Sequence, residues 1–246
     1  MSNPFSLNGQ TILVTGASSG IGRQIAISVS QMGGRLVIAG RNAERLQQTL
    51  ERLSGEGHQA IQGDLATPEG RERLIAACPP LNGLVNNAGT ALLRPFKFTD
   101  DERLENLFDI NFFAPFKLTR DLVKKKKILP GASIVFISSI APLVGTAGLS
   151  AYSSTKAAIN GLTRTLSREL VSSKIRVNAI SPGMVKTEMA DQLENIIDSE
   201  LAAADTARYP LGYGEPEDVA NATVFLLSPA SRWITGINLI ADGGLL

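Results

Sequence analysis

The sequence contains too few cysteine and histidine residues for several classes of functional site. Among its 246 residues there is one cysteine, Cys78, and one histidine, His58. These two residues do not provide an internal disulfide or a zinc site, and we do not expect a Cys–His dyad or a histidine-based triad. His58 lies in the polar stretch SGEGHQA, which indicates a solvated or supporting role.

The chain also lacks an excess of charge of one sign and a long hydrophobic run. Its 24 Lys and Arg residues and 23 Asp and Glu residues give a net charge of +1. Charge therefore gives no reason to expect binding to nucleic acid or to an anionic membrane. No run of roughly 18 apolar residues is present, and the polar start MSNPFSLNGQ does not resemble a signal peptide. We expect a cytoplasmic protein.

Short aliphatic or β-branched runs alternate with longer amphipathic segments. The expected strands lie at 11–16, 35–40, 59–64, 81–89, 133–139, 175–183 and 236–244. The expected helices lie at 21–32, 42–54, 68–77, 101–127, 152–172 and 215–227. This alternation predicts an α/β fold: a doubly wound, Rossmann-like parallel sheet with helices on both faces. There is no repeat or linker, so residues 1–246 are predicted to form a single domain.

One segment interrupts this alternation. Residues 187–207 contain six acidic residues and no Lys or Arg. Apolar residues recur there at helical spacing: Met189, Leu193, Ile196, Ile197 and Leu201. An insertion of this length commonly covers a site, so we expect a substrate lid over residues 187–210. An ordinary pair of surface helices is the alternative.

The stretch TILVTGASSGIGRQIA predicts a strand, a glycine-rich turn and a helix. Gly16 can take the sharp turn, and Gly20 and Gly22 remove side chains where a pyrophosphate and the helix must approach closely. A helix that begins near Ile21 directs its backbone N–H groups and its positive dipole end at such an anion. The spacing is Gly-x-x-x-Gly-x-Gly rather than the common Gly-x-Gly-x-x-Gly, but its place after the first strand favours a dinucleotide site.

Arg41 follows the second expected strand, in the sequence VIAGRN. Enzymes that prefer NAD have an acidic residue about 20 residues past the glycines, which binds the ribose 2′-hydroxyl. Here that place holds Gly40 and Arg41. A guanidinium group can bind a 2′-phosphate through paired, charge-assisted hydrogen bonds. The sequence therefore predicts NADP(H), with NAD(H) as the alternative.

Tyr152 and Lys156 are four residues apart in a segment with helical character, SAYSSTKAAINGL. Such residues share one face of a helix. The ordinary pKa of a tyrosine, about 10, is too high for a good base at neutral pH. A nearby cation lowers it. The pair is therefore either an ordinary surface contact, which is the default for such a pair by itself, or a general acid–base device.

Taken together, these motifs resemble the short-chain dehydrogenase/reductase family, in its order and spacing across essentially the whole chain. The resemblance is carried by the glycine turn, NNAG at 86–89, Asn111, Ser139, Tyr152, Lys156, SPG at 181–183 and the ending ITGINLIADGG. It implies an oxidoreductase that transfers a hydride between a nicotinamide and a carbonyl or secondary alcohol. An NAD-linked alcohol, sugar or steroid dehydrogenase and a non-catalytic cofactor-binding scaffold are the alternatives.

The resemblance also implies roles for individual residues. Tyr152 acts as the acid or base and Ser139 donates a hydrogen bond to the substrate oxygen. Lys156 binds the nicotinamide ribose, and Asn111 anchors a water that relays protons. The remaining implied cofactor contacts are Gly16, Ser18, Ser19, Gly20, Ile21, Gly22, Arg41, Asp64, Leu65, Asn87, Ala88, Gly89, Pro182, Gly183, Val185 and Thr187.

The expected substrate wall is mostly apolar. It includes Leu143, Met184 and Met189, with Arg94 as an anchor for an anion. The chain looks most like the 3-oxoacyl-acyl-carrier-protein reductase branch of the family. Acyl-carrier protein is acidic, so lysines 124–127 and Lys174 are candidates to dock it, although the lysine run is explained more simply as a solvated helix end. The family also implies a homotetramer or homodimer, built through helices 101–127 and 152–172.

Overall fold

The computed structural model describes residues 3–194 and 205–246. Its strands are β1 Thr11–Thr15, β2 Arg35–Gly40, β3 Gln59–Gln62, β4 Leu81–Asn86, β5 Ile128–Ile137, β6 Arg176–Pro182 and β7 Asn238–Ala241. Its helices are α1 Gly20–Gln31, α2 Ala43–Leu50, α3 Pro68–Ala77, α4 Asp101–Phe108, α5 Ala114–Lys124, α6 Ala141–Val144, α7 Ser150–Glu169, α8 Glu188–Glu194 and α9 Pro216–Leu227.

The strands form one parallel sheet of seven strands in the order β3-β2-β1-β4-β5-β6-β7. Successive side chains of a strand point to opposite faces, and both faces are buried here. Ile12 packs in one cluster with residues of α1 and α9. Leu13 packs in the other with residues of α3, α5 and α7. The predicted doubly wound α/β fold is confirmed.

The strand order reverses at β1. This strand pairs with β2 on one side, where Leu13 lies opposite Val37, and with β4 on the other, where Leu13 lies opposite Leu84. The segments that follow β1 and β4 therefore lead away in opposite directions, and a crevice opens beyond the carboxyl ends of these strands. Open parallel sheets bind their ligands at such a reversal point.

The helix predicted over 101–127 is not continuous. A π-helical turn at Asp109–Phe113 separates α4 from α5, and α5 ends at Lys124. Lys126 has a left-handed φ of 56°, and Lys127 Nζ donates to the Cys78 carbonyl oxygen at 2.5 Å. Strand β5 then begins at residue 128 rather than the predicted 133. Lysines 124–126 are exposed, whereas Lys127 is half-buried.

The segment interpreted as a lid is only partly described. Helix α8 accounts for its first part, and the predicted apolar positions Ile196, Ile197 and Leu201 lie outside the described residues. Within the ranges 3–194 and 205–246, no helix has the length and apolar character needed to cross a membrane.

Candidate active site

A cavity of about 680 Å³ runs along the crevice above the carboxyl ends of the strands. The glycine turn and Arg41 lie in its wall together with Tyr152 and Lys156. Of the residues predicted for the site, its wall contains Gly16, Ser18, Ser19, Gly20, Ile21, Gly22, Arg41, Asp64, Leu65, Asn87, Ala88, Gly89, Ser139, Tyr152, Lys156, Pro182, Gly183, Met184, Val185, Thr187 and Met189. Asn111, Arg94 and Leu143 are not in this wall.

The glycine turn is packed against the end of strand β4. Gly16 has a φ of +65°, and a Cβ there would lie 2.8 Å from the Ala88 Cα. A Cβ at Gly22 would lie 2.3 Å from both Asn87 Nδ2 and the Gly16 carbonyl oxygen. Asn87 Nδ2 donates to the carbonyl oxygens of Thr15 and Gly16 at 3.1 and 3.2 Å. Gly22 is therefore required by the close packing of the turn against Asn87.

The N-terminus of helix α1 is open toward the cavity. Ser19 is its N-cap, and no side chain caps its first turn. First-turn N–H groups at such an end bind anions. Arg23 holds the preceding loop: its Nη2 donates to the Ser18 carbonyl oxygen at 2.5 Å and its Nε to Thr49 Oγ1 at 3.2 Å. The sequence did not identify Arg23, because this contact depends on how α2 packs beside α1.

The turn after strand β3 supplies the next part of the wall. Asp64 Oδ1 accepts a hydrogen bond from the Ala66 N–H at 2.9 Å. The Asp64 carboxylate therefore stabilises its own turn, and Leu65 is 8% exposed beside it. Helix α2 begins close by with Asn42 as its N-cap, directly after Arg41. The side chains of Asp64 and Arg41 are both in the cavity wall.

Lys156 lies under the cavity rather than on the surface. Its side chain is 5% exposed, and its Nζ donates to the Ile137 carbonyl oxygen at 2.9 Å. The Nζ atom lies 5.7 Å from the centre of the Tyr152 ring. The structure thus places Tyr152 and Lys156 side by side on α7, as their spacing predicts.

Ser139 joins this pair from the end of strand β5. Its hydroxyl lies close enough to the Tyr152 phenol to lower the phenol's pKa, and it accepts a hydrogen bond from the Ala141 N–H at 3.1 Å. The neighbouring Ser138 is 3% exposed, and its Oγ donates to the Lys156 backbone carbonyl at 3.2 Å. Ser139 therefore contacts the tyrosine, and Ser138 braces helix α7.

Burial governs the ionisation of both α7 residues. Burial raises the pKa of the Tyr152 phenol, and the Ser139 hydrogen bond opposes that rise. The net direction is opposite to the predicted lowering by Lys156, because removal of the phenol from water outweighs the favourable contacts. Burial also lowers the pKa of Lys156 from its ordinary 10.5 to about 8.

Asn111 lies in the π-helical turn and is 2% exposed. Its Oδ1 accepts from the Thr90 N–H at 2.9 Å. Its Nδ2 donates to the Thr90 carbonyl oxygen at 2.9 Å and to Thr155 Oγ1 at 3.2 Å. A Cβ at Gly89 would lie 3.2 Å from Asn111 Oδ1 and 3.5 Å from Lys156 Nζ. Asn111 thus fixes the loop that passes over Lys156.

The predicted substrate residues are only partly brought together. Met184 and Met189 line the cavity. Arg94 lies outside its wall and donates through Nε to the Phe98 carbonyl oxygen at 2.6 Å. Leu143 is also outside the wall and is 51% exposed.

Residues in the last part of the predicted lid segment, together with Tyr213 just beyond it, also line the cavity. Tyr209 accepts a hydrogen bond from the Met184 N–H at 3.2 Å. Tyr213 donates to Asp205 Oδ2 at 3.1 Å, and Arg208 pairs with Asp205 Oδ1 at 3.0 Å. The predicted lid includes Arg208 and Tyr209, but the sequence did not identify them, or Tyr213, as individual site residues.

Comparisons with known proteins agree with this geometry. A family model described as Enoyl-(Acyl carrier protein) reductase matches residues 16–246. The 3-oxoacyl-[acyl-carrier-protein] reductase FabG of Rickettsia felis is 37% identical over 243 residues, covering 98% of this chain and 99% of the relative. D-erythrulose reductase of Gallus gallus is 37% identical over 250 residues, covering 100% of this chain and 99% of the relative.

A solved structure shares the whole architecture. It is described as an NAD(P)-dependent gluconate 5-dehydrogenase from Beutenbergia cavernae, with bound NADP at low occupancy. It superposes with a TM-score of 0.88 at 35% identity and covers 99% of both chains. The chain belongs to the short-chain dehydrogenase/reductase family. It is an oxidoreductase of that family.

Proposed function

We propose that the protein uses NADP(H) to reduce a carbonyl group, or to oxidise the corresponding secondary alcohol. The observation that carries this proposal is the presence within one cavity of Ser139, Tyr152 and Lys156 together with a glycine turn and Arg41. The NADP bound to the related gluconate 5-dehydrogenase supports the choice of cofactor.

The cavity wall fits a dinucleotide phosphate. The open first turn of α1 can bind the pyrophosphate, and Arg41 can bind the 2′-phosphate through charge-assisted hydrogen bonds. Asp64 and Leu65 would flank the adenine, and Lys156 would hold the nicotinamide ribose. When bound, NADP(H) supplies or accepts the hydride of the reaction.

Tyr152 holds the proton of the reaction. Burial raises the pKa of its phenol, so the group is protonated at neutral pH and can donate to a carbonyl oxygen as that oxygen gains charge. Ser139 donates a second hydrogen bond to the same oxygen, which stabilises the developing negative charge. Lys156, with a pKa of about 8, is mostly charged at neutral pH and favours the phenolate that remains.

Titration with NADPH and NADH tests the cofactor. Loss of a charged hydrogen bond costs about 1.5–3 kcal/mol, so Arg41→Ala should weaken NADPH binding by about 10- to 100-fold and leave NADH binding nearly unchanged. Equal binding of both cofactors by the unmodified protein, unmoved by Arg41→Ala, would favour an NAD-linked dehydrogenase. Binding of neither would favour a protein that kept the fold for another purpose.

A panel of carbonyl compounds tests the reaction. Removal of a general acid typically costs about 10²- to 10⁴-fold in rate, and Tyr152→Phe should lose that much kcat while it still binds NADPH. Two substrates belong first in the panel, a 3-oxoacyl thioester and erythrulose, because the relatives are named for reduction of such compounds. Tyr152→Phe with full activity would contradict the assignment.

Acyl-carrier protein is a second candidate ligand within this proposal. Lys124, Lys125 and Lys126 are exposed together at the end of α5, and clustered cations attract an acidic partner. If they dock it, charge reversal at these lysines should raise KM for the carrier-bound substrate and leave KM for a short free thioester unchanged. We also propose that residues 187–210 cover the substrate, with Met184 and Met189 in the cavity wall.

A further inference from the structure

An ion pair crosses the mouth of the cavity between two elements that are distant in sequence. Arg45 of α2 and Glu188, the first residue of α8, are separated by 2.7 Å between Nη1 and Oε2. Both residues line the cavity. Their side chains are 47% and 54% exposed, so the pair is accessible to a ligand that enters from solvent.

This ion pair lies where the adenosine end of a dinucleotide is expected. Arg45 is in the first turn of α2, where its N–H donates to the Asn42 side chain at 2.9 Å. Arg41 directly precedes that N-cap residue. On the other side, Thr187 packs over the glycine turn, with its Cγ2 atom 3.3 Å from a Cβ placed at Gly20. Glu188 therefore brings a carboxylate over a region otherwise suited to anions.

Two properties of the pair decide what a phosphate does there. A half-exposed ion pair is weak, so Arg45 can change partners at little cost. A phosphate monoester carries more charge than a carboxylate and offers three acceptor oxygens. It therefore competes well for a guanidinium group. Glu188 would in turn repel a phosphate that approached while its carboxylate remained in place.

We propose that Arg45 is a second determinant of 2′-phosphate recognition, and that Glu188 competes with the phosphate for it. Binding of the phosphorylated dinucleotide exchanges the Arg45–Glu188 ion pair for an Arg45–phosphate contact. Helix α8 is then released from α2, whereas a dinucleotide without the 2′-phosphate leaves this tie intact. The inference rests on the proposed NADP(H) function and adds a link between cofactor identity and α8.

Calorimetric titration with 2′,5′-ADP and with 5′-AMP tests the exchange without any catalytic readout. The variants are Glu188→Gln, Arg45→Gln, these two combined, and Arg41→Ala. The matched control is Arg103→Gln, because Arg103 also forms a half-exposed ion pair, with Asp100, but lies outside the cavity wall. Circular dichroism confirms that each variant is folded.

Substitutions at the two partners should change the affinity for 2′,5′-ADP in opposite directions. Glu188→Gln should tighten 2′,5′-ADP by about 3- to 10-fold, the size expected when a weak competing ion pair is removed. Arg45→Gln should weaken 2′,5′-ADP by about 10-fold or more, and in that background Glu188→Gln should have a smaller effect, because only the repulsion by its carboxylate is then removed. Neither variant should move 5′-AMP by more than about 2-fold, and Arg103→Gln should match the unmodified protein.

Other outcomes separate this inference from the proposed function. If 2′,5′-ADP binds better than 5′-AMP and only Arg41→Ala removes that preference, NADP(H) use stands and the role of Arg45 is overturned. If Glu188→Gln tightens both ligands equally, the effect is general electrostatics and the competition is overturned. If the unmodified protein shows no preference for 2′,5′-ADP, the cofactor proposal itself fails, and this inference fails with it.

Discussion

Lys156 carries an ammonium group that is buried in the candidate active site. Its Nζ has one protein acceptor, the Ile137 carbonyl oxygen, which does not replace the hydration that a lysine has in water. The pKa of the side chain therefore falls to about 8. Between that value and the ordinary 10.5, the folded chain binds fewer protons than the unfolded chain. The free energy of unfolding must then rise with pH through this window.

Lys156→Met should remove that dependence. Between pH 7 and 9.5, the unmodified protein should gain about 2 kcal/mol of stability relative to the variant. Urea unfolding at the two pH values measures the difference, and Lys125→Met, which removes an exposed lysine, should follow the unmodified protein. Parallel pH curves for the unmodified protein and Lys156→Met would show that the buried lysine does not titrate in this range.

Ser139 is predicted to set the pH at which Tyr152 works. Its hydrogen bond opposes the rise that burial imposes on the pKa of the phenol. In alcohol oxidation Tyr152 must be deprotonated, so Ser139→Ala should shift the acidic limb of the kcat/KM profile to higher pH, in addition to lowering kcat. Ser138→Ala, one residue away with its hydroxyl on the Lys156 carbonyl, should leave that limb in place. An unshifted limb in Ser139→Ala would limit Ser139 to substrate binding.

At the scale of the element, the π-helical turn between α4 and α5 explains how Asn111 reaches its partners. Single π-helical turns within α-helices are frequent at functional sites. Here the turn places the Asn111 carboxamide in three hydrogen bonds, to both backbone groups of Thr90 and to Thr155. The turn thus holds the 88–90 loop against the site.

Asn111→Ala should therefore be costly. It leaves the half-buried backbone groups of Thr90 without their side-chain partner, and the free energy of unfolding should fall by about 1–3 kcal/mol. The control is Asn106→Ala on the exposed face of α4, which should change stability by no more than about 0.5 kcal/mol. Equal losses in urea unfolding would mean that the loop does not depend on Asn111.

The sequence was most informative where local pattern and tertiary role agree. Helix α3, with Thr67 as N-cap and Pro68 in its first turn, has the predicted bounds, and Tyr152 and Lys156 share a face of α7 as their spacing requires. The π-helical turn could not be predicted, because 101–127 is amphipathic throughout and the inserted residue shows only in hydrogen bonding. The start of β5 was missed because Pro130 and Gly131 suggest a turn.

The site residues next to the strand ends were predicted more completely than those at the outer edge of the cavity. Gly16 and Arg41 lie in segments whose positions follow from the strand order. Arg45 and Arg208 reach the cavity only because α2 and the last part of the predicted lid segment fold back over it. Such contacts depend on packing between elements that are distant in sequence, and the periodicity of apolar residues does not predict this packing. Arg94, which looked like the natural anion anchor, instead holds its own turn.

At the scale of the whole molecule, two apolar surfaces stand out in the described chain. Phe113 and Phe116, 42% and 38% exposed, lie where the π-helical turn meets α5. Trp233 is 91% exposed and Ile240 43% exposed, beside or within β7, the edge strand of the sheet. Exposed apolar patches and uncovered edges are features of interaction surfaces. Two separate self-complementary patches would give a closed tetramer, and one would give a dimer.

Light scattering coupled to size exclusion should then give two or four times the chain mass of 26.1 kDa. The double variant Phe113→Glu/Phe116→Glu should have a lower mass than the unmodified protein. Trp233→Glu should convert a tetramer into a dimer. Phe96→Glu, at a side chain 82% exposed outside these two patches, should leave the mass unchanged. A monomer in the unmodified protein would contradict the expectation.

The low reactivity of Cys78 has a practical use in labelling the protein. The thiol is 1% exposed, and burial raises its pKa to about 11, so it is present almost entirely as the unreactive thiol form at neutral pH. It is also the single cysteine of the sequence. A cysteine introduced at an exposed position such as Met189 would therefore take a maleimide dye selectively. Cys78 would not have to be replaced first. The fluorescence of the dye would then report on ligand binding near the mouth of the cavity.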